Sequence, residues 1–133
     1  MAPAKVADRA GGSVGMPAAL KLNEFGSLVW GVFGWPPYQV GSSLVSKTWR
    51  DVDVRVILDD ADYEAWGLGD PVHPWQNEKW IGLVRAFSAL GAEMTGLPID
   101  FQIQQQSYAN EKFPGARNAV GIVPLRFAER QAT

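Results

Sequence analysis

Residues 50–58, RDVDVRVIL, carry the clearest structural pattern in the chain, and residues 51–58 are predicted to form a β-strand. The side chains of a strand alternate between its two faces. One face of this strand carries the apolar residues Val52, Val54, Val56 and Leu58. The opposite face carries Asp51, Asp53, Arg55 and Ile57. We therefore expect the apolar face to lie in the core and the paired carboxylates to face solvent.

A glycine–serine turn precedes this strand. Residues 38–40 are typical of a short strand that enters Gly41-Ser42-Ser43. Further upstream, a helix is predicted to begin after Asn23, an expected N-cap, and to stop at Gly34. Glycine lets the backbone approach a ligand closely, and backbone N–H groups in such a turn suit phosphate oxygens. The turn is therefore a candidate phosphate-binding segment.

Two helical segments follow the strand. The acidic run of residues 59–62, DDAD, has the composition of a metal site, but we expect it to end the strand and to cap a short helix. The strongest helical pattern runs over residues 80–94 as one apolar stripe, and residues 95–98, TGLP, terminate it.

A second half-buried strand is predicted over residues 99–104, where apolar side chains alternate with Asp100 and two glutamines. Residues 105–133 are expected to hold a short helix or loop, a turn and a polar end. The order is helix, strand, strand, helix, strand, which predicts an α/β (α+β) fold with helices packed on one face of a small sheet. If the two longer strands are neighbours, the uncovered face carries Asp51, Asp53 and Asp100.

Composition excludes several classes of protein. The length of 133 residues predicts a single domain, residues 17–133, after a flexible tail, residues 1–16. The net charge of −2 argues against a surface built mainly to hold nucleic acid. The sequence has no cysteine, so a disulfide framework and a thiolate metal site are excluded. No apolar run approaches the roughly 20 residues that cross a bilayer, and we expect a soluble cytoplasmic protein with no membrane contact.

Carboxylates in this arrangement suit phosphoryl and nucleotidyl transfer. Two magnesium ions about 3.5–4 Å apart can stabilise the attacking and the leaving oxygen. Magnesium prefers carboxylate oxygens and keeps several waters, so two or three aspartates and the substrate phosphates complete its coordination. Asp51 and Asp53 would supply ligands from one strand, and Asp100 would add a third acid. In the alternative interpretation, Asp51 and Asp53 are solvent-facing strand residues whose charges pair with Arg50 or Arg55.

Three segments together resemble the signature of the DNA polymerase beta-like nucleotidyltransferase superfamily, in its minimal single-domain branch of actinobacterial and phage type. They are Val40-Gly41-Ser42-Ser43, Arg50-Asp51-Val52-Asp53-Val54 and Ile99-Asp100-Phe101. The resemblance covers roughly residues 23–104. It implies the nucleotidyltransferase fold with a mixed sheet, an NTP donor and two magnesium ions, with Mn²⁺ as an alternative ion.

The resemblance also assigns site residues. Asp51, Asp53 and Asp100 are the implied catalytic and metal-binding residues. Gly41 and Ser42 are implied to hold the triphosphate. Three further candidates for nucleotide binding are Ser43, Lys47 and Arg50, although surface-charge roles suit Lys47 and Arg50 equally well.

The leading hypothesis is a magnesium-dependent nucleotidyltransferase that moves NMP, expected to be AMP, from an NTP to a hydroxyl acceptor. The sequence does not identify the acceptor, and the resemblance suggests that an oligomer or a partner protein completes the site. The main alternative is a non-catalytic nucleotide-binding or regulatory module that retains the fold. A two-metal phosphoesterase is a third hypothesis, but the Gly-Ser turn favours an NTP donor.

Aromatic residues offer further candidates. Trp35, Trp66 and Trp75 flank loops near the expected opening of the site and could stack a purine, although a hydrophobic lid has the same pattern. Arg117 and Asn118 are candidates to close over a nucleotide. The only histidine, His73, is expected to be structural or exposed.

Overall fold

A four-stranded sheet organises the structure, a computed structural model that describes residues 15, 17–41 and 51–121. The strands are β1 (Pro37–Val40), β2 (Val52–Leu58), β3 (Ile99–Gln105) and β4 (Asn118–Ala119). The α-helices in the described residues are α1 (Ala18–Phe33), α2 (Asp60–Ala65), α3 (Glu78–Thr95) and α4 (Gln106–Lys112). A short 3₁₀ helix, Pro74–Gln76, precedes α3. The predicted tail lies outside the described residues except for Gly15.

The strands lie in the order β3-β2-β1-β4. Strands β2 and β3 are parallel, whereas β1 is antiparallel to both of its neighbours, β2 and β4. Parallel neighbours need a long crossover connection, which α2 and α3 supply between β2 and β3. The predicted combination of α-helices with a small mixed sheet is therefore confirmed.

The apolar face of β2 lies in the core, as its alternation predicted. Its four apolar residues are fully buried: Val52, Val54, Val56 and Leu58. Helices α1 and α3 contribute to the same core, where Phe25 of α1 meets Phe101 of β3 edge-on with ring centroids 6.1 Å apart. We call the opposite side of the sheet the open face. It carries Asp53, Arg55 and Ile57 of β2 and Asp100, Gln102 and Gln104 of β3.

The predicted start of α1 is wrong. The helix begins at Ala18, directly after Pro17, and Asn23 lies inside it instead of capping it. The buried side chains of Ala18 and Leu22 extend the apolar stripe toward the N-terminus, so packing carries the helix past the capping signal. The Asn23 side chain has another role, because its Oδ1 accepts the backbone N–H of Gly121 at 2.9 Å.

The acidic run after β2 caps a helix, as predicted. The Asp59 side chain accepts the backbone N–H of Asp62 at 2.7 Å at the N-terminus of α2. Asp60 and Asp62 lie in the first helical turn, where negative charge is favourable. Hydrogen bonding and the helix dipole thus account for these carboxylates without a metal.

Helix α3 covers the outer edge of β3. The Phe101 N–H donates to Ser88 Oγ at 3.0 Å, and Trp80 Nε1 donates to the Ile103 carbonyl at 2.9 Å. An edge strand otherwise presents unpaired backbone groups that can pair with another chain. The opposite edge of the sheet is β4, a strand of two residues that was not predicted, because two residues form no recognisable pattern.

Replacing Ser88 by alanine is expected to lower the free energy of unfolding by about 1 kcal/mol, because the Phe101 N–H loses its acceptor in a partly buried place. Urea denaturation followed by circular dichroism measures the change. Ser27→Ala is the matched control, since that hydroxyl bonds the Asn23 carbonyl within its own helix at an exposed position. If both variants unfold like the wild type, the edge bond does not stabilise the protein.

Within residues 17–41 and 51–121, no helix combines the length and the apolar character that a bilayer crossing requires.

Candidate functional site

Two of the predicted acids lie side by side on the open face. The parallel register of β2 and β3 places Asp53 directly opposite Asp100. Both carboxylates remain partly accessible, with side-chain exposures of 24% for Asp53 and 40% for Asp100. The expectation that the two strands are neighbours is therefore confirmed, and with it the pairing of these two side chains.

Arg55 links the two carboxylates. Its Nη2 lies 3.6 Å from Asp53 Oδ1 and 3.3 Å from Asp100 Oδ2. Its Nη1 donates to the Asp100 backbone carbonyl at 2.6 Å. The arginine is largely buried, so it is a fixed part of the open face, where it supplies positive charge to both acids.

Despite the contact with Arg55, the surroundings of Asp53 disfavour its ionised form. Burial raises the pKa of the Asp53 carboxyl, the positive charge of Arg55 opposes this, and Asp100 and Asp51 raise the pKa further. Neighbouring carboxylates disfavour each other's ionised forms because their charges repel. A second cation at this pair would relieve that repulsion.

Gly41 lies against the Asp53 carboxylate. It follows β1 directly and has a φ of +77°, which disfavours any residue with a Cβ atom. A Cβ added here would overlap Asp53 Oδ2. The glycine predicted to approach a phosphate thus also approaches a carboxylate. The other predicted nucleotide-binding residues, Ser42, Ser43, Lys47 and Arg50, lie outside the described residues.

Asp51 lies outside β2, whereas Asp53 lies within β2 and Asp100 within β3. Strand β2 begins at Val52, one residue later than predicted, because its pairing with β3 begins at Ile99. Asp51 is exposed just before the strand, although its charge still acts on Asp53. Among the described residues, no group of three or more His, Cys, Asp or Glu side chains converges to hold a metal.

The pair Asp53 and Asp100 nevertheless fits a divalent cation. Its donors are carboxylate oxygens, which magnesium and manganese prefer, and both are partly accessible. Arg55 already supplies one positive charge, so an ion would compete with the arginine or share the carboxylates with it. A second ion would require Asp51 or donors from the substrate.

A groove of about 680 Å³ begins at Asp53 and Gly41 and follows the open face. One wall consists of the side chains of β2 and β3, including Arg55, Ile57 and Gln104. The other wall comes from the connection between α4 and β4, including Phe113 and Arg117. The groove is large enough for a small-molecule ligand.

Arg117 brings a second guanidinium to the groove. Its Nη1 donates to Asn110 Oδ1 at 3.1 Å and its Nη2 to the Phe113 carbonyl at 3.2 Å. Both partners are neutral, and no carboxylate of the described residues pairs with this arginine. Among residues 17–41 and 51–121, Arg117 therefore offers an oriented positive charge that no carboxylate compensates. The neighbouring candidate Asn118 pairs with Gln39 in the β4–β1 ladder.

The three candidate tryptophans lie outside the groove lining of the described residues. Trp35 donates from Nε1 to Asp62 at 2.7 Å, and Trp66 packs on Phe33 with ring centroids 4.8 Å apart. Trp75 is 59% exposed and contacts His73. The aromatic side chain on the groove wall is Phe113, for which the sequence pattern contained no signal.

Strand alternation in the sequence had already placed three further groove residues with the acids, although it gave the glutamines no role in the site. Arg55 is two residues after Asp53, and Gln102 and Gln104 follow Asp100 with the same period. Strand alternation thus places all of them on one face with the acids. The cross-strand partners, Arg55 beside Gln102 and Ile57 beside Gln104, depend on the register.

Comparison with known proteins gives no match: no family model, no curated protein and no solved structure is significantly similar to this chain.

Proposed function

We propose that this chain has the nucleotidyltransferase fold and is a divalent-cation-dependent nucleotidyltransferase, which moves NMP, in the first instance AMP, from an NTP to a hydroxyl acceptor. The observation that carries the proposal is the register that pairs Asp53 with Asp100, with Gly41 against Asp53 and both Gly41 and Asp53 lining a groove. The antiparallel β1–β2 pair and the parallel β2–β3 pair agree with the mixed sheet that the sequence resemblance implies.

Asp53 and Asp100 would hold Mg²⁺ or Mn²⁺, which supplies positive charge to the phosphoryl oxygens when bound. Asp100 also accepts the proton of the acceptor hydroxyl. The hydroxyl oxygen forms a bond to the α-phosphorus, the α–β anhydride bond breaks, and pyrophosphate leaves. Arg55 positions Asp100 through its carbonyl and its carboxylate.

A non-catalytic nucleotide-binding module is the second candidate. The observation that favours it is Arg55, which already neutralises part of the charge that a catalytic metal pair would need. In such a module the groove would hold a nucleotide without breaking its anhydride bond.

The affinity for ATP with and without millimolar MgCl₂ tests the carboxylate site. We expect Mg²⁺ to strengthen binding, and Asp53→Asn to weaken it at least about tenfold, because the variant removes one charged ligand. Asp70→Asn is the matched control, since it makes the same charge change at an exposed position outside the groove. ATP binding that responds neither to Mg²⁺ nor to Asp53→Asn would exclude the proposed site.

Transfer from ATP labelled at the α-phosphate separates the two candidates. Pyrophosphate release, with label appearing on a hydroxyl-bearing protein, RNA or small molecule, supports the nucleotidyltransferase. Magnesium-dependent binding without label transfer to any of these acceptors supports the module instead.

A further inference from the structure

The groove changes in chemical character along the strands. On the sheet the Asp53–Asp100 pair is followed by the pair Arg55–Gln102 and then by Ile57–Gln104. Asp53 and both later pairs line the groove. A strand rises about 3.3 Å per residue, so the four steps from Asp100 to Gln104 span about 13 Å. A charged end and a neutral end are thus separated by a distance that a nucleotide can cover from its phosphates to the far edge of its base.

The neutral end has apolar surfaces for a flat ring. Ile57 lies on the wall formed by the sheet, where it is largely buried, and Phe113 lies on the opposite wall. Phe113 is 51% exposed, and the Tyr108 ring supports it edge-on at 5.9 Å. Stacking of a base on an aromatic side chain strengthens nucleotide binding, because every base has a π-face. Because Phe113 is exposed at the groove, its ring is accessible for stacking on a bound base.

The neutral end also has hydrogen-bonding groups without partners. The Gln102 and Gln104 side chains line the groove, and neither makes a hydrogen bond within the described residues. A glutamine amide has one acceptor and two donors. It can therefore accept from N6 of adenine and donate to N7 at the same time, whereas guanine presents two acceptors, O6 and N7, at that edge.

We infer that the neutral end of the groove binds the adenine base of the nucleotide, with Phe113 stacked on the ring and the Gln104 amide paired with its N6–N7 edge. This inference rests on the proposed function, because the phosphates must lie at the Asp53–Asp100 end for the base to reach Gln104. It gives the chain a preference for ATP among the nucleoside triphosphates.

Three probes in MgCl₂ test the inference by calorimetric titration: ATP, ITP and inorganic tripolyphosphate. ITP carries an oxygen where ATP carries the N6 amine, and tripolyphosphate has no base. We expect the wild type to bind ATP about tenfold more tightly than either of the others. These comparisons need no variant, so the test does not depend on the folding of a mutant.

Gln104→Leu is expected to lower the affinity for ATP to that for ITP, because the N6–N7 pairing is lost. Phe113→Leu is expected to lower it toward that for tripolyphosphate, because the stacking is lost. Both variants should leave tripolyphosphate binding unchanged. Gln76→Leu is the matched control, because Gln76 is exposed in the 3₁₀ helix outside the groove. Equal affinities of the wild type for ATP and tripolyphosphate would overturn base recognition, and equal affinities for ATP and ITP would overturn the pairing at N6. If neither ATP nor tripolyphosphate bound in a magnesium-dependent manner, the proposed function would fail, and this inference with it.

Discussion

Replacing Arg55 by methionine is expected to lower the free energy of unfolding by about 3 kcal/mol when divalent cations are removed with EDTA. The arginine side chain is 12% exposed and contacts both Asp53 and Asp100. Methionine fills a similar volume without charge, so the variant leaves two adjacent carboxylates with no cation between them. Removal of one partner from a largely buried ion pair is costly because the other charge remains desolvated.

The same variant is expected to gain more stability from millimolar MgCl₂ than the wild type does. A ligand that binds only the folded protein raises its free energy of unfolding, and the increase is larger when the ligand binds more tightly. The two carboxylates should bind a cation more tightly once Arg55 no longer neutralises them. Urea denaturation in EDTA and in MgCl₂ measures both effects. Arg85→Met, at an exposed position of α3, is the control, with an expected change within about 0.5 kcal/mol.

A double variant identifies the cause. In Arg55→Met/Asp100→Asn one of the repelling charges is gone, so part of the lost stability should return in EDTA and the response to Mg²⁺ should decrease. If Arg55→Met were as stable as the wild type in EDTA, the bridge would not contribute to the fold. An unchanged response to Mg²⁺ would argue against a cation site at the pair.

Replacing Gly41 by alanine is expected to lower the free energy of unfolding by about 3 kcal/mol and to weaken nucleotide binding. A φ of +77° costs an alanine about 1–2 kcal/mol. The new Cβ would also overlap Asp53 Oδ2, and relieving such an overlap costs about a further 1–3 kcal/mol. Because the displaced group is a proposed ligand, stability and affinity should fall together.

Gly34→Ala separates these two contributions. Gly34 has a φ of +80° at the end of α1, but an added Cβ would have no atom within 4 Å. This variant should therefore show only the backbone cost, about 1–2 kcal/mol, with unchanged ATP affinity. In an Asp53→Ala background, Gly41→Ala should cost no more than Gly34→Ala. A full cost of Gly41→Ala in that background would mean that its effect does not arise from Asp53.

Much of the site could be predicted because strand alternation is local. The period of two assigned Asp53 to the face opposite Val52 and Val54, and the buried valines agree with that assignment. The same pattern placed Asp100 on the exposed side of its own strand. The predicted start of α1 was wrong. The helix begins at Ala18, because the burial of that side chain stabilises the extra turn more than capping by Asn23 would stabilise a shorter helix.

The repeat of a single strand or helix is visible in the sequence, and it correctly predicted which side chains of β2 face the core and that Asp53 and Arg55 share the opposite face. It also placed Asp51 on that face, although the strand begins only at Val52. Only the tertiary structure decided that Asp53 lies beside Asp100, that Arg55 bridges them and that Asp51 precedes the strand, since register depends on where β3 starts. The groove is likewise a tertiary feature. Phe113 and Arg117 reach it because β4 pairs with β1 and brings their connection to the open face.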